Sequence, residues 1–321
     1  MICRLIALWV LALGLVGQAM AQNYPAKPIR IVVPFAPGGS SDVMARSLGK
    51  YLGEQMATQF ITENRPGAGG GLAMEAVAKS PPDGYTVLFG TIGTNGVAPA
   101  LFRNLPIDPG RDLAPVSMLH LTPSVLIVNS LLPIQSLDDL IRYAKANPGK
   151  LTYASAGNGS ISHLAGELLK STADINLIHV PYKGGGAAMP DLLAGNVSMM
   201  IETMTNAMAA TKGGKLRAIA STAGKRWSTA PDLPTFAEAG LAGYQVDSWT
   251  GLFVAAGTSR LIIDRLNTEI VNAARDPSYR QAMAAIGVEA VSSSPEAFGT
   301  FVRAEVAKWG KTIQATGTKI D

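Results

Sequence analysis

Hydrophobic and polar positions along this chain alternate in a way that predicts short buried strands separated by amphipathic helices. The run Ile29–Val33 is rich in β-branched residues, and a longer stretch with helical spacing follows it. The predicted strands are Ile29–Val33, Gln59–Glu63, Thr86–Phe89, Val125–Val128, Leu151–Ala154, Leu177–Val180, Val197–Ile201 and Leu216–Ser221. The predicted helices are Ser41–Glu54, Leu72–Ala78, Ser136–Gly149, a helix that ends near Lys170, Arg260–Arg275, Pro277–Ile286 and Pro295–Gln314. Such alternation over short loops predicts an α/β fold whose sheets are mixed, mostly parallel and flanked by helices.

Two short segments are candidates for chain crossings between two lobes. They are "HLTPS" (His120–Ser124) and "VDSWTG" (Val246–Gly251), since no long linker or low-complexity tract divides the chain elsewhere. Two crossings predict one discontinuous lobe, residues 22–122 plus 249–321, and one continuous lobe, residues 123–248. A cleft between them is then expected, because α/β sheets bind ligands beyond the carboxyl ends of their strands.

The first residues have the pattern of a secretory signal peptide. Arg4 precedes the apolar stretch Leu5–Val16, and Ala19-Met20-Ala21 forms an A-x-A cleavage sequence. The signal peptide would direct export to the periplasm, and its cleavage after Ala21 would eliminate Cys3, the only cysteine of the sequence. The competing interpretation is an uncleaved membrane anchor, which the short apolar stretch disfavours.

Composition and motifs argue against several classes of function. Lys and Arg number 27 against 23 Asp and Glu, a net charge of +4, and no basic run indicates a nucleic-acid surface. The Gly310-Lys311-Thr312 sequence lacks the earlier glycine of a phosphate-binding loop, and no G-x-S-x-G elbow is present. His163 and Glu167 are four residues apart, but no third metal ligand is evident. We therefore expect no catalytic residue, cofactor or metal, although a distant Ser-His-acid arrangement stays open.

Three glycine-rich, polar loops follow predicted strands and open helices, which is a pattern typical of anion binding. Exposed amides at a helix start carry a partial positive charge, glycine allows close approach, and hydroxyls add donors. The candidate ligand-binding residues are Phe35, Ala36, Gly38, Gly39, Ser40, Ser41 and Asp42 in the first loop, Thr91, Thr94 and Asn95 in the second, and Ser155, Ala156, Asn158, Gly159 and Ser160 in the third.

Asp42 is the ambiguous member of this set. A carboxylate that faced the site would repel an anion, so Asp42 either caps or complements its own helix start, or has a functional role, in which it fixes the loop amides or receives a positive group of the ligand. Both alternatives are compatible with the sequence.

Several longer motifs resemble one family of periplasmic solute-binding proteins. They include "YPAKPIRIVVPFAPGGSSDVMAR", "ENRPGAGGG", "SPPDGYTVLFGT", "LTYASAGNGSISHLAGELL" and "HVPYKGGGAAMPDLLAGNV", in that order over most of the chain. These segments are similar to the TctC-like, or Bug, receptors of tripartite tricarboxylate transporters. The resemblance implies a two-lobed flytrap fold that closes on an organic acid. It also implies a membrane permease of two subunits as the partner, and we expect the protein to be a monomer.

The resemblance also implies that the three loops contribute the site from both lobes. Family members often have an Asp-Asn-x-Pro-Ser-like stretch where this chain has Glu202-Thr203-Met204-Thr205-Asn206, so the longer acid and the missing proline are expected to reshape that wall. Tyr182, Glu202 and Thr203 complete the set of candidate ligand-binding residues. Tyr182 could stack on an aromatic ligand or pack beneath its own loop. The ligand class stays open among mono- and dicarboxylates, aliphatic or aromatic, and a sensory role through a signalling receptor is the alternative to transport.

Overall fold

The computed structural model describes residues 24–102, 105–158, 160–182, 185–227 and 229–316. The strands are β1 (Ile29–Val33), β2 (Phe60–Asn64), β3 (Thr86–Thr91), β4 (Leu113–Asn129), β5 (Thr152–Ser155), β6 (Ile178–Pro181), β7 (Met199–Thr203), β8 (Leu216–Ser221), β9 (Asp247–Ala255) and β10 (Glu289–Ala290). The helices are α1 (Ser40–Gln55), α2 (Gly71–Ala78), α3 (Ala98–Leu101), α4 (Pro109–Asp112), α5 (Leu137–Ala146), α6 (Ile161–Ala173), α7 (Gly185–Ala194), α8 (Met204–Thr211), α9 (Arg260–Arg275), α10 (Pro277–Ala285) and α11 (Pro295–Thr316). A π-helical turn, Ile92–Val97, joins β3 to α3. The predicted signal peptide lies outside the described residues.

The strands form a mixed sheet whose order is β2-β1-β3-β9-β4-β7-β5-β6, with β8 and β10 also paired to β4. The 17-residue strand β4 connects its two halves. The first part of β4 pairs with β9 and β10, and its last residues pair with β7 and β8. Helices flank both halves, and the architecture is a two-lobed α/β fold. The exact lobe boundaries stay predictions.

The outer strands run parallel as predicted, but the centre of the sheet does not. β1 pairs in parallel with β2 and β3, and β5 pairs in parallel with β6 and β7. All pairings of β4 and β9 among the described strands are antiparallel. The expectation of mostly parallel sheets therefore holds for the edges, whereas long antiparallel strands join them.

The two candidate crossings lie side by side in these central strands. His120 pairs with Thr250, Thr122 with Ser248 and Pro123 with Asp247. β9, β10 and the first part of β4 were not predicted, whereas the other strands lie within about two residues of their predicted bounds. The full length of β4 was not predicted because it contains Pro115 and Pro123, and proline argues against a central strand. In the structure, Pro115 is accommodated beside a register shift.

Buried apolar residues support both halves of the sheet. One cluster packs Leu48 of α1 and Leu266 of α9 against β1, β3 and β9, and another packs Leu192 and Met204 against β5 and β7. Fully burying each such side chain contributes about 1.5–3 kcal/mol. These cores hold the helices rigidly, so the helix starts have fixed positions. Within the part of the chain described, no helix combines the length and apolar character needed to cross a bilayer.

Candidate functional site

A cavity of about 820 Å³ lies between residues 34–102 on one side and residues 158–206 on the other. Thr122, Ser248 and Thr250, on the paired central strands, also line it. The start of α1, the turn after β3, the start of α6 and the start of α8 all contribute residues to its wall. The cavity thus collects helix starts from both halves of the sheet.

The loop between β1 and α1 forms part of the wall of this cavity. Gly38 has a φ of +83°, a left-handed conformation that favours glycine. Gly39 is the N-cap of α1 and has no side chain to cap the helix, so the first amides of α1 are available to a ligand. Phe35, Ala36, Ser40 and Ser41 line the cavity, whereas Gly38 and Gly39 shape the loop without lining it.

Asp42 stabilises this loop without lining the cavity. Its Oδ2 accepts hydrogen bonds from the Gly38 amide and from Arg46 Nε, each at 3.0 Å. The hydrogen bonds from Arg46 and then from Gly38 lower the pKa of this carboxyl to about 2. Asp42 is buried and does not line the cavity. Of the two alternatives, the geometry shows a carboxylate that fixes the loop amide.

The loop between β5 and α6 forms the opposite wall. Ser160 caps α6 by accepting from the His163 amide at 3.2 Å, and it donates to the Gly157 carbonyl at 2.7 Å. Ser162 Oγ accepts from the Ala156 amide at 2.9 Å. Asn158 and Ser160 line the large cavity, and Ala156 lines a smaller one beside it. Gly159 lies outside the described residues.

Ser155 lies behind this wall and does not line either cavity. It is fully buried, and its Oγ lies 2.6 Å from His179 Nε2. The His179 ring stacks on His163 with centroids 4.0 Å apart. Desolvation, followed by the neighbouring His163, lowers the pKa of His179 to about 4. A buried serine that faces no cavity serves as a support for the loop.

The turn after β3 uses most of its predicted donors internally. The Thr91 amide donates to Thr94 Oγ1 at 2.9 Å, and Thr94 Oγ1 lies 2.6 Å from Asn95 Oδ1. Thr94 and Asn95 are about 1% exposed and do not line the cavity, whereas Thr91 does. The side chains of Thr94 and Asn95 therefore stabilise the turn that positions Thr91.

A smaller cavity of about 270 Å³ adjoins the large one. Ser160, Ile161, Thr203, Asn206 and Ser248 line both. Glu202 lines only the smaller cavity. Tyr182 lines neither, because its hydroxyl donates to Asp191 at 2.7 Å.

The large cavity is uncharged and mainly apolar, with a small number of polar groups on its walls. Among the described residues that line it, none is Asp, Glu, Lys, Arg or His. Its donors are hydroxyls, the Asn158 and Asn206 amides, and backbone N–H groups. In the described part of the chain, no cluster of three or more His, Cys, Asp or Glu residues could hold a metal ion.

A family comparison agrees with this architecture. The family described as the tripartite tricarboxylate transporter family receptor, TctC, matches residues 44–318. The chain belongs to this family. Its members are periplasmic binding proteins, and the resemblance inferred from the sequence is confirmed.

Three relatives illustrate how fully this TctC-family chain is matched. BugT of Bordetella pertussis is 37% identical over 318 residues, which are 98% of this chain and 97% of BugT. Rpa4515 of R. palustris, solved with adipate, is 35% identical with a TM-score of 0.76, over 92% of this chain and 99% of that one. MatC of Rhodopseudomonas palustris, solved with malate, is 33% identical with a TM-score of 0.70, over 90% and 100%.

Sequence reasoning overlooked several residues that line the cavities of this TctC-family chain. Those beyond the predicted set include Met44, Gly67, Gly69, Gly70, Phe102, Thr122, Ile161, Ser162, Thr205, Asn206, Ser248, Thr250, Ile286 and Val288. The predicted crossings contained a signal for three of them, since a cleft between two lobes must border the strands that connect the lobes. Thr122, Ser248 and Thr250 lie in those segments.

Proposed function

We propose that this protein captures a small organic carboxylate between its two lobes and delivers it to a tripartite tricarboxylate-type membrane permease. It would act in the periplasm after removal of residues 1–21. The observation that carries the proposal is the uncharged cavity onto which the uncapped start of α1 opens.

Amides and hydroxyls suit a carboxylate that must be released again. Unpaired N–H groups at a helix start stabilise an anion, and a water-poor cavity strengthens each hydrogen bond. Ser40 and Ser41 can add donors to the same carboxylate. Because no cation is required, capture and release do not involve breaking a desolvated ion pair, which often costs 2–5 kcal/mol or more.

The relatives support the ligand class and the partner. Rpa4515 was solved with adipate and MatC with malate, and both are small carboxylates. The family description names a transporter receptor. A role in binding without turnover agrees with the site, since Ser155, which touches a histidine, faces away from the cavities.

A thermal-shift and calorimetric panel of carboxylic acids tests the proposal. A ligand at about 100 times its Kd should stabilise the protein by about 2.7 kcal/mol. The double variant Ser40→Ala with Ser41→Ala should then weaken binding about tenfold or more, because hydrogen bonds to a charged group contribute about 1.5–3 kcal/mol each.

Ser171→Ala is the matched control, since Ser171 is an exposed α6 serine that donates to its own helix at the Leu168 carbonyl. It should retain wild-type affinity. The proposal fails if no carboxylate shifts the melting temperature, or if the double variant binds as tightly as the control.

A further inference from the structure

The smaller cavity contains a carboxylate that the large cavity lacks. Glu202 is the one formally charged side chain among the described residues that line either cavity. It stands at the end of β7, immediately before α8. Whatever part of a ligand enters this cavity meets a negative charge.

The position of the Glu202 carboxylate is fixed by the backbone on both sides. Its Oε1 accepts from the Thr203 amide at 2.7 Å, the N-cap position of α8. Its Oε2 lies against Gly185, where an added Cβ would come within 2.4 Å. Glycine is thus needed at 185 for the carboxylate to occupy this place.

The charge is not paired within the described structure. None of the ion pairs there includes Glu202, and none of the hydrogen bonds there involves its Oε2. The nearby hydroxyls of Ser124, Ser160 and Ser248 line the same cavity and can accept or donate. The smaller cavity therefore combines one carboxylate with hydroxyls and the first residues of α6 and α7, whereas the α1 start has no charged side chain facing its cavity.

The two cavities adjoin, since Ser160 and Asn206 are among the residues that line both. A ligand that extends from one into the other meets no charged side chain at the α1 end and the Glu202 carboxylate at the other. A carboxylate at the α1 start is favoured, whereas a second carboxylate near Glu202 would face like-charge repulsion, which costs several kcal/mol.

We infer that Glu202 makes this protein selective for monocarboxylates whose far end donates hydrogen bonds, as an ammonium or amide group does, over dicarboxylates of the same length. This inference rests on the proposed capture of a carboxylate at the start of α1. The adipate-bound and malate-bound relatives show that the family fold also accommodates dicarboxylates, so the selectivity is assigned to this residue.

The test is calorimetric titration with matched ligand pairs. Each pair has one diacid and the amino acid of equal length: adipate with 6-aminohexanoate, its shorter and longer homologues, and terephthalate with 4-(aminomethyl)benzoate. The wild type should bind the amino member of the best pair about tenfold more tightly or better. Glu202→Gln should reverse or abolish that preference while retaining the Thr203 hydrogen bond through its amide oxygen.

Two further variants separate the local charge from other effects. Glu202→Asp keeps the charge and should keep the preference for the amino member. Glu75→Gln removes an equal charge from α2, at a residue that pairs with Lys79, and should leave the ratio unchanged. Unliganded melting curves check that each variant is folded.

The outcomes distinguish the two proposals. A wild type that prefers the diacid, or a Glu202→Gln variant with the wild-type ratio, overturns the selectivity while carboxylate capture stands. If no pair binds to the wild type, carboxylate capture fails and the selectivity fails with it.

Discussion

The two helix starts that face each other across the cavity are built differently. The start of α1 follows Gly39, which has no side chain to cap it, and its loop is held by Asp42 from behind. The start of α6 is capped by Ser160 within the wall itself. The first amides of α1 therefore stay available to a ligand, whereas one of the first amides of α6 already donates to the hydroxyl of Ser160.

This difference indicates that the two walls contribute differently to ligand binding. The α1 loop has open donors and needs an external brace to keep them aligned, which Asp42 and Arg46 supply. The α6 loop is preorganised by its own hydroxyls and by the Ser155–His179 contact. We therefore expect the α1 loop to dominate affinity and the α6 loop to contribute mainly shape.

The largest effect on this comparison should come from Asp42→Ala. The substitution leaves the Gly38 amide and Arg46 without their acceptor, which should cost about 1–3 kcal/mol of stability. Because the loop amides lose their alignment, ligand affinity should fall more than tenfold. Urea unfolding and calorimetry with the best carboxylate measure the two effects.

Asp138→Ala provides the matched control, since Asp138 forms an i,i+4 pair with Arg142 on exposed α5. Such surface pairs contribute only about 0.3–0.5 kcal/mol, so stability and affinity should barely change. Wild-type affinity in Asp42→Ala would show that alignment of the α1 loop does not determine binding.

The two walls should lose their contributions to stability at different pH values, because the pKa of His179 and that of Asp42 lie in different ranges. Burial and His163 depress the pKa of His179 from 6.5 to about 4, so the unfolded state binds the extra proton first as pH falls. Stability from the α6 side is therefore complete above about pH 6.5 and declines towards pH 4. Asp42, with its pKa lowered from 3.8 to about 2, loses its contribution only below about pH 4.

The measurement is the free energy of unfolding of the wild type and of His179→Gln at pH 7 and pH 4.5. The wild type should lose about 1–2 kcal/mol more than the variant over this interval, after allowance for the partial exposure of His179. Glu167 and Lys170 lie near the histidine pair and are present in both proteins, so the comparison isolates the loss of His179. Equal losses in both proteins would place the acid sensitivity elsewhere.

The sequence predicted correctly those elements that depend on interactions between residues close together in the chain. The run Ile29–Val33 and the capping residue Ser136 predicted β1 and α5, because strand propensity and an N-cap act within a few residues. The glycine-rich loops were placed correctly at strand ends. Phe35, Ser40, Ser41, Thr91, Asn158 and Ser160 accordingly line the large cavity.

Tertiary pairing determined the rest, and the sequence carries no local signal for it. Ser155 contacts His179 because β5 and β6 pair in parallel, which turns a predicted ligand residue into a support. Thr94 turns inward because the chain after β3 forms a π-helical turn with reciprocal Thr91–Thr94 bonds. The roles of Ser155 and Thr94 depend on side-chain direction, which strand and loop patterns alone do not specify.

The smallest effect expected is that of Ser160→Ala on the α6 side. Loss of an N-cap hydroxyl typically costs about 1 kcal/mol, and the Gly157 carbonyl loses its donor as well. Affinity should fall by less than in the Ser40→Ala, Ser41→Ala double variant, because Ser160 is already engaged within its own loop. Ser160→Thr keeps the hydroxyl and should restore stability, which separates capping from a direct role with the ligand. If Ser160→Ala instead weakens binding more than the α1 double variant, the α6 wall contributes more to ligand affinity than the α1 wall, and the capped helix start binds the carboxylate.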